Sequence, residues 1–180
     1  MKTQATPLEG LLLIERTPLA DERGFLERLF CTTELGFAKP IRQINRTMTK
    51  RRGTVRGLHF QHPPHAETKI VTCTRGRVFD VAVDLRKGSR TFLRWYGVEL
   101  SGSGTRSLLV PEGFAHGLQT LEDDCEMLYL HTADYRAEAE GGFNPADARI
   151  GIGWPQPIAE MSARDRALPP LDAGFTGLAA

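Results

Sequence analysis

Short apolar runs separated by turn residues fill the middle of this chain, and they restrict it to a small set of folds. Between residues 41 and 133, runs rich in Val, Ile, Leu, Thr and aromatic residues are broken by Gly, Pro and Asp, at intervals of roughly 8 to 12 residues. This spacing is typical of all-β proteins. Many short strands in one chain indicate a sandwich or a jelly roll, whose two sheets can hold a ligand between them. The clearest runs predict strands over residues 69–74, 78–85, 91–100, 107–110 and 126–131.

Helical signals are weak and local. Residues 32–37 form one candidate helix, and a second short turn is expected to begin at Ala163, where Ser162 is suited to cap it. The run over 78–85 alternates only imperfectly, as expected of a strand that is covered on both faces. The sequence therefore predicts an all-β protein with short peripheral helices.

The length and composition are those of one domain. The chain has 180 residues, of which 41% are hydrophobic, and this is enough for a full core. We expect a single domain over 1–180, with a core over about 20–155, a C-terminal segment over 156–180 that packs on it, and a frayed end after Pro169. The formal net charge of +1 gives no reason to expect nucleic acid or a membrane as a partner.

Cysteine usage indicates the compartment. Cys31, Cys73 and Cys125 are widely spaced and form no paired motif. The N-terminus lacks the basic and then apolar profile of a signal peptide, and the apolar stretches are far shorter than the roughly 20 residues that a membrane helix requires. These features predict a soluble, cytoplasmic protein whose reduced cysteines pack in the core.

Two histidines lie in strand segments framed by glycines. His59 belongs to Gly53–Gln61, and His116 belongs to Pro111–Gly117. Taken alone, His59 is either a core histidine that bonds to a carbonyl or a base poised near neutral pH. Its polar neighbours favour a binding pocket, because an apolar core would not tolerate them unpaired. These neighbours are Arg56, Gln61, Gln43, Asn45 and Lys69.

A metal site is the obvious alternative, since four of the five histidines lie at positions 59, 62, 65 and 116. Metal-binding double-stranded β-helix proteins usually carry two histidines separated by one residue on a strand. Here the second of these positions is Gln61, a poor ligand beside imidazole. His62 and His65 flank Pro63-Pro64 in an expected turn. The spacing therefore argues against a metal.

Three further side chains each have a structural and a chemical interpretation. Strand alternation puts Lys69 on the face of Val71 and opposite Ile70, and Lys69 is either an edge-strand charge or a functional group. Tyr129 is either a core aromatic or a proton donor, because a phenol stays protonated at neutral pH. Asp165 is either a surface carboxylate or the partner that orients a histidine.

Nine segments, read in order along nearly the whole chain, resemble one enzyme family. Each motif is weak alone, but nine in the same order form a specific pattern. They are Asp21–Phe25, Gln43–Asn45, Gly53–Gln61, Lys69–Val71, Asp80–Arg86, Pro111–Gly117, Tyr129 with Tyr135, Trp154-Pro155 and Ser162–Asp165. This pattern resembles the dTDP-4-dehydrorhamnose 3,5-epimerase family of nucleotide-sugar enzymes.

The resemblance implies a fold and a reaction. The implied fold is a cupin-type jelly roll (double-stranded β-helix). The resemblance further implies an enzyme that forms a homodimer and needs no metal or organic cofactor. Its implied substrate is a 4-keto-6-deoxy sugar carried on a nucleoside diphosphate. Protons at C3 and C5 flank the C4 ketone, so that removal of either gives an enolate. The resemblance implies that His59, paired with Asp165, is the base, that Tyr129 is the acid on the opposite side and that Lys69 stabilises the charge on the C4 oxygen.

The resemblance also implies substrate contacts. Arg23 and Arg56 match positions that hold the diphosphate, where a guanidinium can bind two oxygens at once. Tyr135 matches the position that stacks on the nucleobase, and His116 matches a position that contacts the substrate. Further nucleotide-sugar contacts are implied for Gln43, Asn45, Glu140 and Arg164.

The chain departs from the family pattern near the nucleotide. The usual glutamate five residues after Arg23 is Arg28 here, and the carboxylate is Glu27. Arg164 replaces a lysine, which keeps the charge but not its geometry. The nucleotide and the choice of C3, C5 or both therefore stay open. The alternatives are a 3,4-ketoisomerase of the same substrate class, a non-catalytic nucleotide-sugar-binding cupin and a metal-dependent cupin.

Overall fold

The computed structural model describes residues 1–179. The strands in this range are β1 (Lys2–Ala5), β2 (Leu12–Glu15), β3 (Leu19–Asp21), β4 (Gly24–Leu26), β5 (Gln43–Thr49), β6 (Val55–Gln61), β7 (Lys69–Arg75), β8 (Arg77–Asp84), β9 (Trp95–Ser101), β10 (Arg106–Val110), β11 (Phe114–Thr120), β12 (Cys125–His131) and β13 (Glu140–Gly142). The helices are α1 (Thr32–Leu35) and α2 (Ala163–Arg166), with a single 3-10 turn at Ala137–Ala139.

Two antiparallel sheets form the body of the protein. The first has six strands in the order β1-β2-β10-β7-β12-β5, and the second has five in the order β13-β6-β11-β8-β9. Strands β3 and β4 form a separate hairpin. Buried side chains from both sheets, among them Val71, Leu108, Ala82 and Leu118, pack into one shared core. The sheets therefore face each other, which confirms the predicted all-β, cupin-type jelly roll.

Both ends of the chain contribute to the packing. Leu8, Leu11 and Leu13 are buried in the core between the sheets, so the core includes residues before the predicted limit of 20. At the other end, Leu178 is buried, and its N–H donates to the carbonyl of Leu85 at 2.7 Å. The prediction that the chain frays after Pro169 is wrong for residues 170–179, because apolar residues of this segment pack on the outer face of the five-stranded sheet; residue 180 lies outside the described residues.

The two short helices lie where the sequence predicts them. Helix α1 ends at Gly36, whose φ of 59° suits a left-handed C-cap. At α2, the Ser162 hydroxyl accepts a hydrogen bond from the backbone N–H of Asp165 at 3.0 Å, which confirms the predicted cap. No helix in residues 1–179 combines the length and the apolar character needed to cross a bilayer.

Most predicted strands are confirmed within a residue or two, but the predicted strand 91–100 begins only at Trp95. Residues 91–93 instead form a turn. This turn is fixed by Asp84, which accepts hydrogen bonds from the hydroxyls of Ser89 and Thr91, both at 2.6 Å. A carboxylate at the end of a strand therefore overrides the local strand propensity.

Asp84 is expected to contribute to stability in a pH-dependent way. Burial alone would raise the pKa of this fully buried carboxyl, but hydrogen bonds from Arg86, Ser89 and Thr91 lower it to about 2. A carboxyl whose pKa is lower in the folded than in the unfolded protein stabilises the fold at pH values above the pKa of the unfolded protein. This contribution is lost as the pH falls from about 4 to about 2. We expect Asp84→Asn to lose roughly 2 kcal/mol of unfolding free energy at pH 7 and less at pH 3.

Chemical denaturation at the two pH values measures this difference. Asp124→Asn is the matched control, because Asp124 is exposed and lies at a φ of 51°, which asparagine tolerates. A loss for Asp84→Asn that is the same at pH 3 and pH 7 would contradict this account of Asp84.

Candidate active site

A cavity of about 870 Å³ opens between the two sheets. Strands β5, β7 and β12 of the six-stranded sheet form one wall, and strands β6 and β11 of the five-stranded sheet form the other. The cavity is lined by both polar and apolar side chains. Every predicted site residue except Arg23 lines it. These residues are His59, Tyr129, Lys69, Asp165, Gln43, Asn45, Arg56, His116, Tyr135, Glu140 and Arg164.

A β-bulge brings Arg56 and His59 to the same wall. His59 pairs with His116 of β11, whereas Arg56 pairs with Leu118, so that three steps along β6 match two steps along β11. This extra residue is a β-bulge, which re-aims the side chains that follow it. The bulge depends on Gly57, which has a φ of +123° and whose added Cβ would lie 2.7 Å from the Cα of Gly117.

His59 and Asp165 form a hydrogen-bonded pair. Nε2 of His59 lies 2.8 Å from Oδ1 of Asp165, and this carboxylate is 4% exposed. Burial alone would raise the pKa of Asp165, but the hydrogen bond and charge of His59 and the Gly57 N–H hold it below its ordinary value. Since Nε2 is engaged by the carboxylate, Nδ1 is the nitrogen that can accept a proton.

Asp165→Asn is expected to reduce turnover strongly without unfolding the protein. The asparagine amide would donate to Nε2 of His59 and so place the imidazole proton on Nδ1, where it blocks proton uptake. We expect kcat to fall by on the order of 10²-fold or more. Initial rates of the epimerisation that the resemblance implies, followed by NMR of the sugar, measure the effect. Asp124→Asn is again the control. Undiminished kcat in a folded Asp165→Asn variant would remove the assigned role of this pair.

Lys69 lies on a central strand. Strand β7 is flanked by β10 and β12, so the edge-strand interpretation of Lys69 is wrong. The predicted alternation is confirmed: Lys69 lines the cavity, Val71 packs in the core between the sheets and Ile70 packs on the outer face. Lys69 is 8% exposed as a residue, and its ammonium nitrogen lies 3.0 Å from Oε1 of Glu67. A buried positive charge is therefore fixed beside the cavity.

Tyr129 stands on the wall opposite His59. It belongs to β12 in the six-stranded sheet, whereas His59 belongs to β6 in the five-stranded sheet. Burial raises the pKa of the Tyr129 hydroxyl well above its ordinary value. The phenol therefore stays protonated across the physiological pH range and is suited to donate a proton.

Polar side chains gather at the outer end of the cavity. The hydroxyl of Tyr135 donates to Glu140 at 2.8 Å, and Glu140 also forms an ion pair with Arg164. Gln43 accepts a hydrogen bond from the backbone N–H of Tyr135 at 3.0 Å and donates to Asn45 at 3.1 Å. Tyr135 is 51% exposed as a residue, so its side chain is accessible to a planar ligand.

Gln61, whose position argued against a metal, makes hydrogen bonds to the loop at the outer end of the cavity. Its side-chain amide donates to the carbonyl oxygen of His65 at 3.0 Å. Its side-chain oxygen accepts the backbone N–H of Arg136 at 2.7 Å. Gln61 thereby holds the loop that carries Tyr135.

Sequence reasoning missed three side chains of the site. Asp80 is fully buried and binds Nε2 of His116 at 2.9 Å, and a carboxylate in a strand covered on both faces was a signal that it has a buried polar partner. Glu67 and His131 line the cavity and bond to each other at 3.0 Å. Glu67 stands two residues before Lys69, but its residue type alone does not separate a cavity position from a surface position.

Comparison with known proteins decides the family. The family model described as dTDP-4-dehydrorhamnose 3,5-epimerase matches residues 5–173. The chain belongs to the dTDP-4-dehydrorhamnose 3,5-epimerase family. A dTDP-4-dehydrorhamnose 3,5-epimerase from Salmonella typhimurium is 43% identical over 172 residues, which cover 93% of each chain.

Solved structures of related epimerases share the fold. A dTDP-6-deoxy-D-glucose-3,5-epimerase from Legionella pneumophila, in complex with dTDP-4-keto-L-rhamnose, has a TM-score of 0.90 and 34% identity over 99% of this chain and 98% of its own. A 3'-monoepimerase from Streptomyces bikiniensis, in complex with dTDP-quinovose, has a TM-score of 0.85 and 31% identity over 92% of this chain and 85% of its own.

Of the positions that depart from the dTDP-4-dehydrorhamnose 3,5-epimerase pattern, Arg164 lines the cavity, whereas Arg28 lies away from it, as does Arg23, which matches the pattern. Arg23 is in the β3–β4 hairpin, where its side chain is 84% exposed and pairs with Asp21 at 2.6 Å. Arg28 is exposed and pairs with Glu34. Glu27 forms an ion pair with the buried Arg16 at 2.9 Å. Glu27 therefore does not supply the missing carboxylate to the cavity of its own chain.

Proposed function

We propose that this protein is an epimerase that inverts C3, C5 or both in a nucleoside-diphosphate-4-keto-6-deoxy sugar, with a dTDP-linked sugar as its substrate. The observation that carries the proposal is the pair of opposed walls. One wall holds an imidazole supported by a buried carboxylate, and the other holds a protonated phenol. A fixed ammonium, that of Lys69, lies beside them.

The C4 ketone makes the hydrogens on C3 and C5 acidic. His59 removes one of them through Nδ1, and the Asp165 carboxylate stabilises the imidazolium that forms. The electrons move toward the C4 oxygen, and the Lys69 ammonium stabilises the resulting enolate. Tyr129 then donates its proton from the opposite wall, which inverts the carbon, and proton exchange with water returns the imidazolium and the phenolate to their starting forms.

The position of Tyr129 favours epimerisation over the alternatives. An inversion needs a proton donor on the face opposite the base, and Tyr129 on the facing sheet fits that need. A 3,4-ketoisomerase, which moves the carbonyl between C3 and C4, has no equal need for an opposed acid. A non-catalytic binding module would not need a base, an acid, an ammonium and a supporting carboxylate together.

Two residues of the cavity lining, Arg56 and Tyr135, suit the nucleotide. The Arg56 guanidinium is anchored by a hydrogen bond from Nε to the Thr49 hydroxyl at 2.8 Å, so it is oriented to bind the diphosphate. The exposed Tyr135 ring is placed to stack on the base, with its hydroxyl held by Glu140. His116, held by Asp80, contacts the sugar.

We also propose that the protein acts as a homodimer. The β3–β4 hairpin exposes Leu19, Phe25 and Leu26 at 68%, 69% and 73%, and a partner of the same kind would cover these apolar side chains. Contact between copies would give Arg23 a route to the partner's cavity, since it does not line its own. Sedimentation analysis is expected to give twice the chain mass of 20.0 kDa, and a monomer at micromolar concentration would contradict this.

A panel of nucleotide sugars tests the function and the nucleotide together. 4-Keto-6-deoxyglucose linked to dTDP, UDP, CDP or GDP is incubated with the enzyme, and NMR follows the inverted sugar. We expect the dTDP sugar to react fastest. Arg28→Glu, which restores the usual family residue, reports whether that position affects nucleotide choice. Inversion of none of the four sugars would overturn the proposed activity, and a faster reaction with another nucleotide would overturn the dTDP assignment.

A further inference from the structure

The cavity contains a third histidine and carboxylate pair that the proposed reaction does not use. Nδ1 of His131 lies 3.0 Å from Oε2 of Glu67, and the second oxygen of Glu67 lies 3.0 Å from Nζ of Lys69. His131 also stands directly opposite Lys69 in the pairing of β12 with β7. One carboxylate therefore bridges an imidazole and the ammonium that stabilises the enolate.

The bridge is nearly buried. The side chains of Glu67 and His131 are 9% and 12% exposed, and that of Lys69 is 10% exposed. Burial alone would raise the pKa of Glu67, but the hydrogen bond from His131 and the charge of Lys69 lower it. Glu67 is thus a carboxylate at neutral pH and accepts hydrogen bonds from both partners.

This arrangement selects one tautomer of His131. Because the carboxylate accepts a hydrogen bond from Nδ1–H, neutral His131 keeps its lone pair on Nε2. Nε2 has no hydrogen-bond partner within residues 1–179. The ring lines the cavity and stacks near Tyr129, with centroids 6.2 Å apart and planes 21° apart. An acceptor nitrogen is therefore held beside the acid and the ammonium.

We propose that His131 is a further substrate-contacting residue, whose Nε2 accepts a hydrogen bond from the sugar hydroxyl on C3, and that Glu67 is a positioning residue for His131 and Lys69. The assignment rests on the proposed function, which places the C4 oxygen at Lys69. The hydroxyl on C3 is the ring hydroxyl adjacent to that oxygen, so it lies within reach of the residue paired with Lys69.

Kinetics with two substrates test the contact. We expect His131→Asn to lower kcat/KM for the dTDP-linked 4-keto-6-deoxy sugar by on the order of 10-fold to 100-fold. With the 3-deoxy analogue of that substrate, followed by exchange of its C3 and C5 hydrogens with deuterated water, His131→Asn and the wild-type protein are expected to react alike. His62→Asn, at an exposed histidine outside the cavity, is the control. Equal losses with both substrates, or no loss with either, would overturn the contact.

Variants of Glu67 test the positioning role. Glu67→Gln keeps the shape and removes the charge, and we expect it to lower kcat by on the order of 10-fold or more. The Glu67→Gln/His131→Asn double variant is expected to fall no further than the stronger single variant. Glu112→Gln, at a surface ion pair with Lys39, is the control. Additive losses in the double variant would contradict the claim that Glu67 acts through His131.

Imidazole ¹⁵N NMR tests the pair without substrate. The chain has five histidines, so single substitutions assign each signal. We expect neutral His131 to carry its proton on Nδ1 in the wild-type protein, and this preference to weaken in Glu67→Gln. A proton on Nε2 would overturn the inference whether or not the enzyme is active. Wild-type protein that inverts none of the nucleotide sugars, with the expected tautomer, would instead contradict the proposed function alone.

Discussion

His59→Ala is expected to abolish both inversion of the sugar and exchange of its C3 and C5 hydrogens with solvent. The substitution removes the only side chain assigned to take the proton, and general base catalysis contributes on the order of 10²–10⁴-fold in rate. The fold should survive, because His59 is 30% exposed and lies at the cavity wall. The buried Asp165 loses its partner, so we expect a modest fall in Tm. NMR of the sugar and thermal unfolding measure the two effects.

The control for this variant is His62→Ala, which removes an imidazole that packs against Phe60 and does not line the cavity. It should exchange and invert at the wild-type rate. If His59→Ala retains activity equal to that of His62→Ala, then His59 is not the base.

Tyr129→Phe is expected to separate exchange from inversion. The variant keeps the base, so His59 still removes a proton, exchanges it with solvent and returns it to the same face. Without the phenol there is no donor on the opposite wall, and we expect inversion to fall by on the order of 10²-fold or more. NMR in deuterated water then shows label in a sugar of unchanged configuration.

Tyr96→Phe is the matched control for loss of a phenol. Tyr96 is a half-buried residue of β9 that packs against the core and does not line the cavity. It should invert the sugar normally. Inversion by Tyr129→Phe at the wild-type rate would show that the proton comes from another donor, and loss of exchange together with inversion would show that Tyr129 is needed for proton removal.

The fold was predictable because its strands carry their own signals. The run over 78–85 is apolar on both faces and becomes β8, which lies between β11 and β9. Residues 91–93 show the limit of this approach, since their turn depends on the Asp84 carboxylate. The covered C-terminal segment shows another limit, because Leu178 is buried only once the outer face of the five-stranded sheet exists.

The sequence pattern predicts less of the site than of the fold. Strict alternation places Arg56 and His59 on opposite faces, because they are three residues apart, and only the bulge at Gly57 brings them together. His59 and Asp165 are 106 residues apart, and no local pattern links them. Their pairing entered through the family resemblance. The bridge from Lys69 through Glu67 to His131 depends on strand register, which the sequence does not display.

Deuterium incorporation into dTDP-4-keto-6-deoxyglucose, followed by NMR in deuterated water with the wild-type protein, is the first measurement of proton removal by His59 and proton return by Tyr129. We expect deuterium at C3, C5 or both in a sugar inverted at the labelled carbon, with the carbonyl still at C4. Label at both carbons indicates a double epimerase, and label at one indicates a narrower enzyme. A 3-keto product labelled at C4, or an inverted sugar without label, would contradict proton removal and return between His59 and Tyr129.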